Sequence, residues 1–323
     1  MKAISYSRYG SADVVRLVEK DRPVPKGDEV LIRIRAASVN ALDRHSMRGE
    51  PFPLRMAMGW RGPKDTRLGV DLAGIVEMVG SGVTNYKPGD EVFGVGRGAF
   101  AEYSCAQASR IAIKPSNVSF EQAAATPVAG ITALQGLRDK GGIKSGQKVL
   151  INGAGGGVGT FAAQIAKVLG AEVTAVTSTD KLEMVRALGA DHVVDYTRED
   201  FTRSGARYDA ILDMGLTHSF ADVRRVLTKD GKWLCVGGVT SQGWLHLLGT
   251  VFGALARSPF VSQKFHVVPA KGTAQDLVVM GEYMNDGRIR PEIEKTYSLA
   301  ETASALRRID EGCARGKLVV AIP

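Results

Sequence analysis

A glycine-rich stretch near the middle of the chain has the composition of a phosphate-binding loop. The apolar run Val149–Ile151 leads into it, and the amphipathic run Thr160–Leu169 follows it. Glycines between a buried strand and a helix let backbone amides approach a pyrophosphate closely, and the amino end of the helix favours the anion. We therefore predict a dinucleotide site. The residues expected to contact the phosphates are Ala154, Gly155, Gly156, Gly157, Val158 and Gly159.

The end of the next predicted strand bears on which dinucleotide the loop would hold. An acidic residue there bonds the ribose hydroxyls of NAD, whereas the 2′-phosphate of NADP requires hydroxyl donors or a cation. This chain places Thr177 and Ser178 at that position, with Lys181 in the first turn of the following helix. Asp180 is the opposing signal, which we interpret as a helix-start carboxylate stabilised by the helix dipole. The pattern favours NADPH.

Two kinds of pattern divide the chain around this site. From Met1 to about Pro115, short apolar runs alternate with turn residues, which predicts a β-barrel-like domain. A capping box at Ser119–Gln122 then begins a helical region. Beyond it, buried strands alternate with helices, as in βαβ units around a parallel sheet. The fold class is therefore α/β, with a doubly wound parallel sheet in the second part.

Composition and charge exclude several classes of protein. The chain has 323 residues, which favours two domains. Its formal charge of +8 comes from Lys and Arg scattered without a basic run, so we expect no nucleic-acid partner. No segment reaches the roughly 18 apolar residues of a membrane span, and no signal core opens the chain, so we expect a cytoplasmic protein. We interpret the apolar segment 243–256 as a pocket wall or a dimer seam, with membrane-surface contact as a further option.

Several spaced motifs resemble the medium-chain dehydrogenase/reductase superfamily, in its zinc-independent quinone oxidoreductase and alkenal/enone reductase branch. They extend over essentially the whole chain: Ala37–Asn40 with Asp43, Gly69–Gly74, Lys87–Val92, Gly98–Tyr103, Gly130–Ala133, Ala154–Gly159, Leu188–Asp191 and Gly316–Lys317. The resemblance implies a GroES-like β-barrel domain, formed by residues 1–118 and 290–323. It also implies a Rossmann domain that binds NADPH, formed by residues 119–289.

The zinc-binding positions of the zinc-dependent relatives have other residue types here. Those relatives have a cysteine early in the barrel, then a His-Glu pair, then a third ligand near the helical region. This chain has Asn40, Val70–Asp71 and Thr126–Gly130 at those places, and its three cysteines lie far apart. These are not the Cys and His ligands that zinc prefers, so we predict no metal. His45 is interpreted as a surface or pocket donor.

The resemblance also implies roles for individual residues. Asn40 would lie beside the nicotinamide, Asp43 would line the same cleft, and Thr132 would lie near the carboxamide, which makes these three the candidate catalytic residues. The group that donates a proton to the acceptor stays open between Asn40, His45, Tyr103 and water. Further cofactor contacts are expected from Tyr196, Met214, Val236, Gly237, Gly238 and Lys317.

The predicted lack of a metal restricts the chemistry. Without a Lewis acid the site cannot readily stabilise an alkoxide, whereas hydride addition to a quinone or an α,β-unsaturated carbonyl spreads charge onto an oxygen that hydrogen-bond donors can stabilise. Together with the resemblance, this predicts an NADPH-dependent reductase of small quinones or enones. We also expect the protein to form a homodimer. Two alternatives remain, namely an enoyl-thioester reductase and an interaction protein that binds NADPH without turnover.

Overall fold

The computed structural model describes residues 1–236, Gly249 and residues 262–323. The predictions for Gly237 and Gly238 lie outside the described residues. So does the apolar segment 243–256, apart from Gly249.

The first 134 residues are rich in strands. The strands are β1 (Lys2–Ser5), β2 (Arg16–Glu19), β3 (Glu29–Val39), β4 (Asp71–Val79), β5 (Glu91–Val95), β6 (Tyr103–Gln107) and β7 (Ile111–Ile113). The helices are α1 (Ala41–Arg48), α2 (Arg55–Met58), α3 (Phe120–Ala125) and α4 (Pro127–Leu134). The capping box predicted at the start of α3 is confirmed, because Ser119 Oγ accepts from the Gln122 amide and Gln122 Oε1 accepts from the Ser119 amide.

The next part of the chain alternates strands with helices. A π-helical turn (Gln135–Gly141) precedes the first strand. The strands are β8 (Lys148–Asn152), β9 (Glu172–Thr177), β10 (His192–Asp195), β11 (Tyr208–Asp213), β12 (Leu227–Cys235) and β13 (Lys264–Val267). The helices between them are α5 (Gly157–Val168), α6 (Leu182–Ala187) and α7 (Phe220–Arg225). The last described segment adds α8 (Ala274–Asn285), β14 (Ile293–Ser298), α9 (Thr302–Asp310) and β15 (Lys317–Ala321).

The chain forms two compact units, residues 1–131 with 271–323 and residues 132–270. These boundaries differ from the predicted ones at 118/119 and 289/290. The physical reason is that two helices pack on the first unit's sheet: α3 lies against β3 and β4, and α8 lies against β7. Their buried apolar faces therefore belong to the core of the first unit. The sequence pattern locates a change from strands to helices, but it does not say which sheet a helix covers.

Among its described residues, the second unit forms a six-stranded parallel sheet with the strand order β10-β9-β8-β11-β12-β13. Its central strand β8 is almost wholly buried, as expected for a sheet covered on both faces. The register pairs Asn152 with Val176 on one side and with Asp213 on the other. The carboxyl ends of β8, β9 and β11 therefore lie at one edge of the sheet, where ligands bind in open α/β folds.

The first unit contains a seven-stranded sheet in which β3 is the central element. The order is β14-β15-β3-β4-β5-β7, and β6 also pairs with β3. Ser38 of β3 lies opposite Asp71 of β4, and Val39 lies opposite Leu318 of β15. This register brings the end of β3 between the start of β4 and the start of β15. Asn40, Asp71 and Lys317 consequently meet, although they are far apart in sequence.

Candidate functional site

The glycine loop lies between β8 and α5 and is held by the neighbouring strand. The amides of Gly153 and Ala154 both donate to the carbonyl of Val176, at 3.1 and 3.0 Å. Gly153 has φ +90°, a conformation that favours glycine. A Cβ added at Gly159 would lie 2.2 Å from the Gly153 carbonyl oxygen, so the first turn of α5 packs directly on the loop. The predicted strand-loop-helix unit is confirmed.

The amino end of α5 can receive an anion. Its N-cap is Gly156, which has no side chain to bond the amides of the first turn. A Cβ added at Gly156 would meet only the Gly153 carbonyl oxygen, at 3.5 Å. Backbone amides of a first helical turn together with the helix dipole form an anion site. The residues present therefore fit a dinucleotide pyrophosphate.

Asp213 organises the same edge of the sheet. Its Oδ1 accepts from Asn152 Nδ2 at 2.8 Å and from the amides of Gly215 and Leu216 at 3.0 and 2.9 Å. Its Oδ2 accepts from the indole nitrogen of Trp233 at 3.0 Å. One fully buried carboxylate thus joins the ends of three strands. Sequence reasoning missed Asp213, because a single acidic residue at a strand end gives no pattern.

The residues that bear on the 2′-phosphate lie after β9. Thr177 and Lys181 are buried and pack against Gly155, since a Cβ added there would lie 2.5 Å from Thr177 Oγ1 and 2.6 Å from Lys181 Cδ. Lys181 ends a 3₁₀ turn, Thr179–Lys181, immediately before α6. Ser178, which is predicted to donate to the 2′-phosphate, donates its hydroxyl hydrogen to Asp180 Oδ1 in this structure, at 2.5 Å.

The remaining predicted cofactor residues of the second unit follow other strands. Tyr196 follows β10 and is 61% exposed. Met214 follows β11 and donates its amide to the Asn152 carbonyl, while Val236 follows β12 and donates to the Asp213 carbonyl. These residues share the loop's edge of the sheet. Thr132 is buried within α4.

A buried polar cluster lies at the end of β3 in the first unit. Asn40 Nδ2 donates to Asp71 Oδ2 at 2.9 Å and to the Ser38 carbonyl at 3.3 Å. Asn40 Oδ1 accepts from Lys317 Nζ at 2.6 Å, and Lys317 Nζ also donates to the Val39 carbonyl at 3.3 Å. Asn40 is 7% exposed, Asp71 0% and Lys317 3%.

Asp71 accepts from donors on every side. Besides Asn40, Ser38 Oγ donates to its Oδ2 at 2.9 Å, and the Val128 amide donates to its Oδ1 at 3.0 Å. Lys317 Nζ lies 3.7 Å from Oδ2. Burial raises the pKa of Asp71 above its ordinary value, and the lysine charge and these donors oppose that shift. Burial also lowers the pKa of Lys317, and Asp71 opposes that shift.

Asp43 is a capping carboxylate rather than a free group. Its Oδ2 accepts from the backbone amide of Asn40 at 2.8 Å, and its Oδ1 accepts from the backbone amide of Gly69 at 3.1 Å. It is 1% exposed. Burial raises the pKa of Asp43 to about 7, although both backbone amides act in the opposite direction. The structure therefore brings together three predicted residues of the first unit, Asn40, Asp43 and Lys317.

Two other donors considered from the sequence also have defined surroundings. His45 lies on α1, and its Nδ1 is buried without a hydrogen-bond partner in the part of the chain that the structure describes. Burial lowers the pKa of His45, which favours a neutral imidazole. Tyr103 lies on β6, with the guanidinium of Arg22 4.1 Å above its ring.

Several large apolar side chains in and after α1 are exposed. The large apolar residues Leu42, Phe52, Met56 and Trp60 are all exposed. Phe52 and Trp60 contact each other edge to face, with ring centroids 5.2 Å apart. Clustered exposed apolar side chains often mark a binding surface.

Comparison with known proteins places this arrangement in a family. Residues 26–116 match the alcohol dehydrogenase GroES-like domain, and residues 188–320 match a zinc-binding dehydrogenase model. A 2-methylene-furan-3-one reductase of Solanum lycopersicum is 35% identical, over 99% of this chain and 79% of the relative. The chloroplastic NADPH-dependent alkenal/one oxidoreductase of Arabidopsis thaliana is 33% identical over the same shares. A solved quinone oxidoreductase from Coxiella burnetii is 28% identical, covers 100% of this chain and 99% of its own, and has a TM-score of 0.87.

The chain belongs to the medium-chain dehydrogenase/reductase superfamily. The predicted resemblance to the superfamily and the predicted fold class, a GroES-like domain with a Rossmann-type parallel sheet, are confirmed. The relatives include proteins named as quinone oxidoreductases and alkenal/one reductases, which is the branch that the motifs indicate.

One of the two matching family models is named for zinc, but the described residues do not offer a set of ligands for that metal. Within residues 1–236 and 262–323, no group of three or more His, Cys, Asp or Glu residues could hold a metal ion. The carboxylate of Asp71 is already surrounded by hydrogen-bond donors, and an ammonium group lies beside it. Zinc in proteins requires Cys, His or carboxylate ligands that are free to coordinate.

Ser38 and Asp71 are the members of the first unit's cluster that sequence reasoning missed as site residues. Asp71 was noticed only as a replacement for a metal ligand. The signal that could have found it is its position at the start of an apolar strand, where a buried charge requires a partner. That partner is 246 residues further along the chain, at Lys317, so local pattern could not supply it.

Proposed function

We propose that this protein is an NADPH-dependent oxidoreductase that transfers hydride to a quinone or an α,β-unsaturated carbonyl compound. The observation that carries the proposal is the cradle at the carboxyl edge of the parallel sheet, where Gly156 leaves the amino end of α5 uncapped by any side chain. Relatives that cover nearly the whole chain and are named for NADPH, alkenals and quinones support the choice of cofactor and acceptor.

In this proposal the backbone amides of Gly157, Val158 and Gly159 hold the pyrophosphate, and Lys181 supplies positive charge toward the 2′-phosphate. Thr177, Ser178, Tyr196, Met214 and Val236 follow strands of the same sheet and complete the cofactor site. NADPH supplies the hydride when it is bound.

Asn40, Asp43 and Thr132 are the residues that we assign to the reacting end of the cofactor. Asn40 is held rigidly, because all three polar positions of its amide are bonded within the chain. Fixed groups of this kind can exclude water and orient a bound partner without reorganising during the reaction. Both amide hydrogens of Asn40 are occupied, so the acceptor takes its proton from another group, and His45 or a water molecule is the proposed source.

The acceptor is proposed to be apolar apart from its conjugated carbonyl. Leu42 lies two residues after Asn40 and is exposed, and the exposed side chains of Phe52 and Trp60 contact each other. Flat conjugated molecules pack favourably on aromatic and aliphatic side chains.

Turnover of NADPH and NADH with matched acceptors tests the proposal. We expect oxidation of NADPH with an alkenal or a quinone, a Michaelis constant at least tenfold lower for NADPH than for NADH, and weaker activity with an enoyl thioester. Equal Michaelis constants would contradict the 2′-phosphate site. Tight NADPH binding without turnover of any acceptor would contradict the enzymatic function and favour an interaction protein.

We further propose that the enzyme works without zinc, as a homodimer in the cytoplasm. Activity that survives dialysis against a chelator, with no zinc detected by elemental analysis, would support the first point. Light scattering tests the dimer, and fractionation of the native host tests the location. Among the described residues, no helix is long and apolar enough to cross a membrane.

A further inference from the structure

The side-chain amide of Asn40 is fixed in one orientation. A primary amide has two hydrogens, and here one is donated to Asp71 and the other to the Ser38 carbonyl. Its oxygen receives the shortest hydrogen bond of the cluster, 2.6 Å from Lys317 Nζ. Turning the amide over would place its oxygen against a carboxylate and its hydrogens against an ammonium. Only one orientation satisfies both neighbours.

The charges of the cluster are supplied from two strands that flank β3. Asp71 begins β4, and Lys317 begins β15. An isolated buried charge is strongly unfavourable unless it is paired and hydrogen-bonded. Their charged atoms lie 3.7 Å apart, and the Asn40 amide bridges them through shorter hydrogen bonds, 2.9 Å to Asp71 and 2.6 Å to Lys317. The ammonium therefore has its own counter-ion and two oxygen acceptors.

We propose that Lys317 is the resident cation of this cluster and positions Asn40 for hydride transfer. This inference rests on the proposed function for its kinetic consequence, but the cation site itself can be tested without turnover. Lys317 acts through Asn40 and is a positioning residue. The resemblance instead implies a role for Lys317 as a cofactor contact.

Removing the ammonium and replacing it with a small free amine tests the site directly. The Lys317→Ala variant leaves space beside Asn40 and Asp71 that methylammonium can fill. Because a ligand that binds only the folded state raises the melting temperature, methylammonium is expected to stabilise Lys317→Ala and to leave the wild type unchanged. Tetramethylammonium, which has no N–H to donate, is the matched control and should have no effect. Stabilisation of Lys317→Ala by zinc instead of methylammonium would overturn the proposal.

The kinetic test separates positioning from simple structural support. We expect Lys317→Ala to lower kcat about 100-fold per folded molecule, the scale of a small misplacement of a catalytic group, while the dissociation constant of NADPH stays within twofold. Methylammonium should restore kcat at least tenfold. Lys295→Ala removes an exposed lysine from the neighbouring strand β14 and should leave both constants unchanged. If Lys317→Ala keeps its kcat per folded molecule, or weakens NADPH binding instead, the positioning role is wrong.

A second variant covers the case in which Lys317→Ala does not fold because Asp71 is left unpaired. The double variant Lys317→Met with Asp71→Asn removes both charges together. It should fold, bind NADPH normally and show the same loss of kcat, and a wild-type kcat in this variant would overturn the inference. A wild type that turns over no acceptor would defeat the proposed function alone, since stabilisation of Lys317→Ala by methylammonium would still be measurable.

Discussion

The contact between Gly159 and the glycine loop allows a sharp prediction. A Cβ at Gly159 would lie 2.2 Å from the Gly153 carbonyl oxygen and 2.6 Å from Ala154 Cα, and both of these are backbone atoms that cannot turn away. The first turn of α5 or the loop must therefore move by about 1 Å to restore ordinary contact, and overpacking of this kind typically costs about 1–3 kcal/mol. Gly159→Ala is thus expected to lower stability and to displace the amides that hold the pyrophosphate.

The direction of the stability change expected for Gly159→Ala is opposite to the usual effect of replacing a glycine in a helix. In a helix interior, replacing glycine by alanine normally stabilises by roughly 0.5–1 kcal/mol. Gly159 lies inside α5, so without the backbone clash the substitution would raise the melting temperature. With the clash, we expect the melting temperature to fall on the order of 5 °C and the NADPH dissociation constant to rise tenfold or more.

Gly156→Ala is the matched control for the fold. It makes the same chemical change in the same loop, but the nearest backbone atom lies 3.5 Å from the added Cβ, which is ordinary contact. Its melting temperature without cofactor should equal that of the wild type, so any weaker NADPH binding by this variant reports the approach of the ligand itself. Differential scanning fluorimetry and fluorescence titration with NADPH measure both quantities. A Gly159→Ala chain that melts higher than the wild type and binds NADPH normally would refute this reasoning.

Three further predictions concern single carboxylates and one lysine. Asp213→Ala leaves several buried donors unpaired and should lower the free energy of unfolding by about 3 kcal/mol or more in urea. Asp222→Ala removes a half-buried carboxylate that accepts from Ser219 at the start of α7, and it should cost about 1 kcal/mol or less. Lys181→Met should raise the Michaelis constant of NADPH at least tenfold and leave that of NADH unchanged. Lys167 forms an exposed ion pair with Asp191, so Lys167→Met is the control and should change neither constant. Asp43 binds its proton more tightly when folded, since burial raises its pKa to about 7, so stability should fall as the pH rises from about 4 to 7. Urea unfolding of Asp43→Asn across that range should show a smaller fall, and an unchanged slope would contradict the shift.

The sequence predicted most reliably what depends on neighbouring residues. The glycine loop is confirmed because its conformation follows from glycine at Gly153 and Gly159 between a buried strand and a helix. The capping box at Ser119 is confirmed for the same reason, since its two hydrogen bonds span only three residues. Local chemistry decides both features.

What the sequence could not supply depends on register and on packing between distant segments. The Asn40 cluster exists because β15 pairs with β3, and no local pattern connects Lys317 with Asn40. The compact units divide at other residues than the predicted domains for a related reason, since α3 and α8 cover the first unit's sheet although their sequence patterns resemble those of the second unit's helices. The roles assigned to Asn40, Asp43 and Thr132 stay predictions.

The position of β15 has a consequence for how the protein is made. This strand lies between β14 and β3 in the interior of the first unit's sheet, yet it comprises residues 317–321 of a chain of 323. A ribosome synthesises β15 after residues 1–131 and 132–270, so the amino-terminal strands β1 to β7 emerge early but wait for β15 to complete their sheet, whereas residues 132–270 can fold before it. Until then Asp71 has no lysine partner. Ribosome-bound chains that end just before Lys317 should therefore expose the edge of β3 to chaperones, and chains that extend far enough for β15 to leave the ribosome should cover that edge.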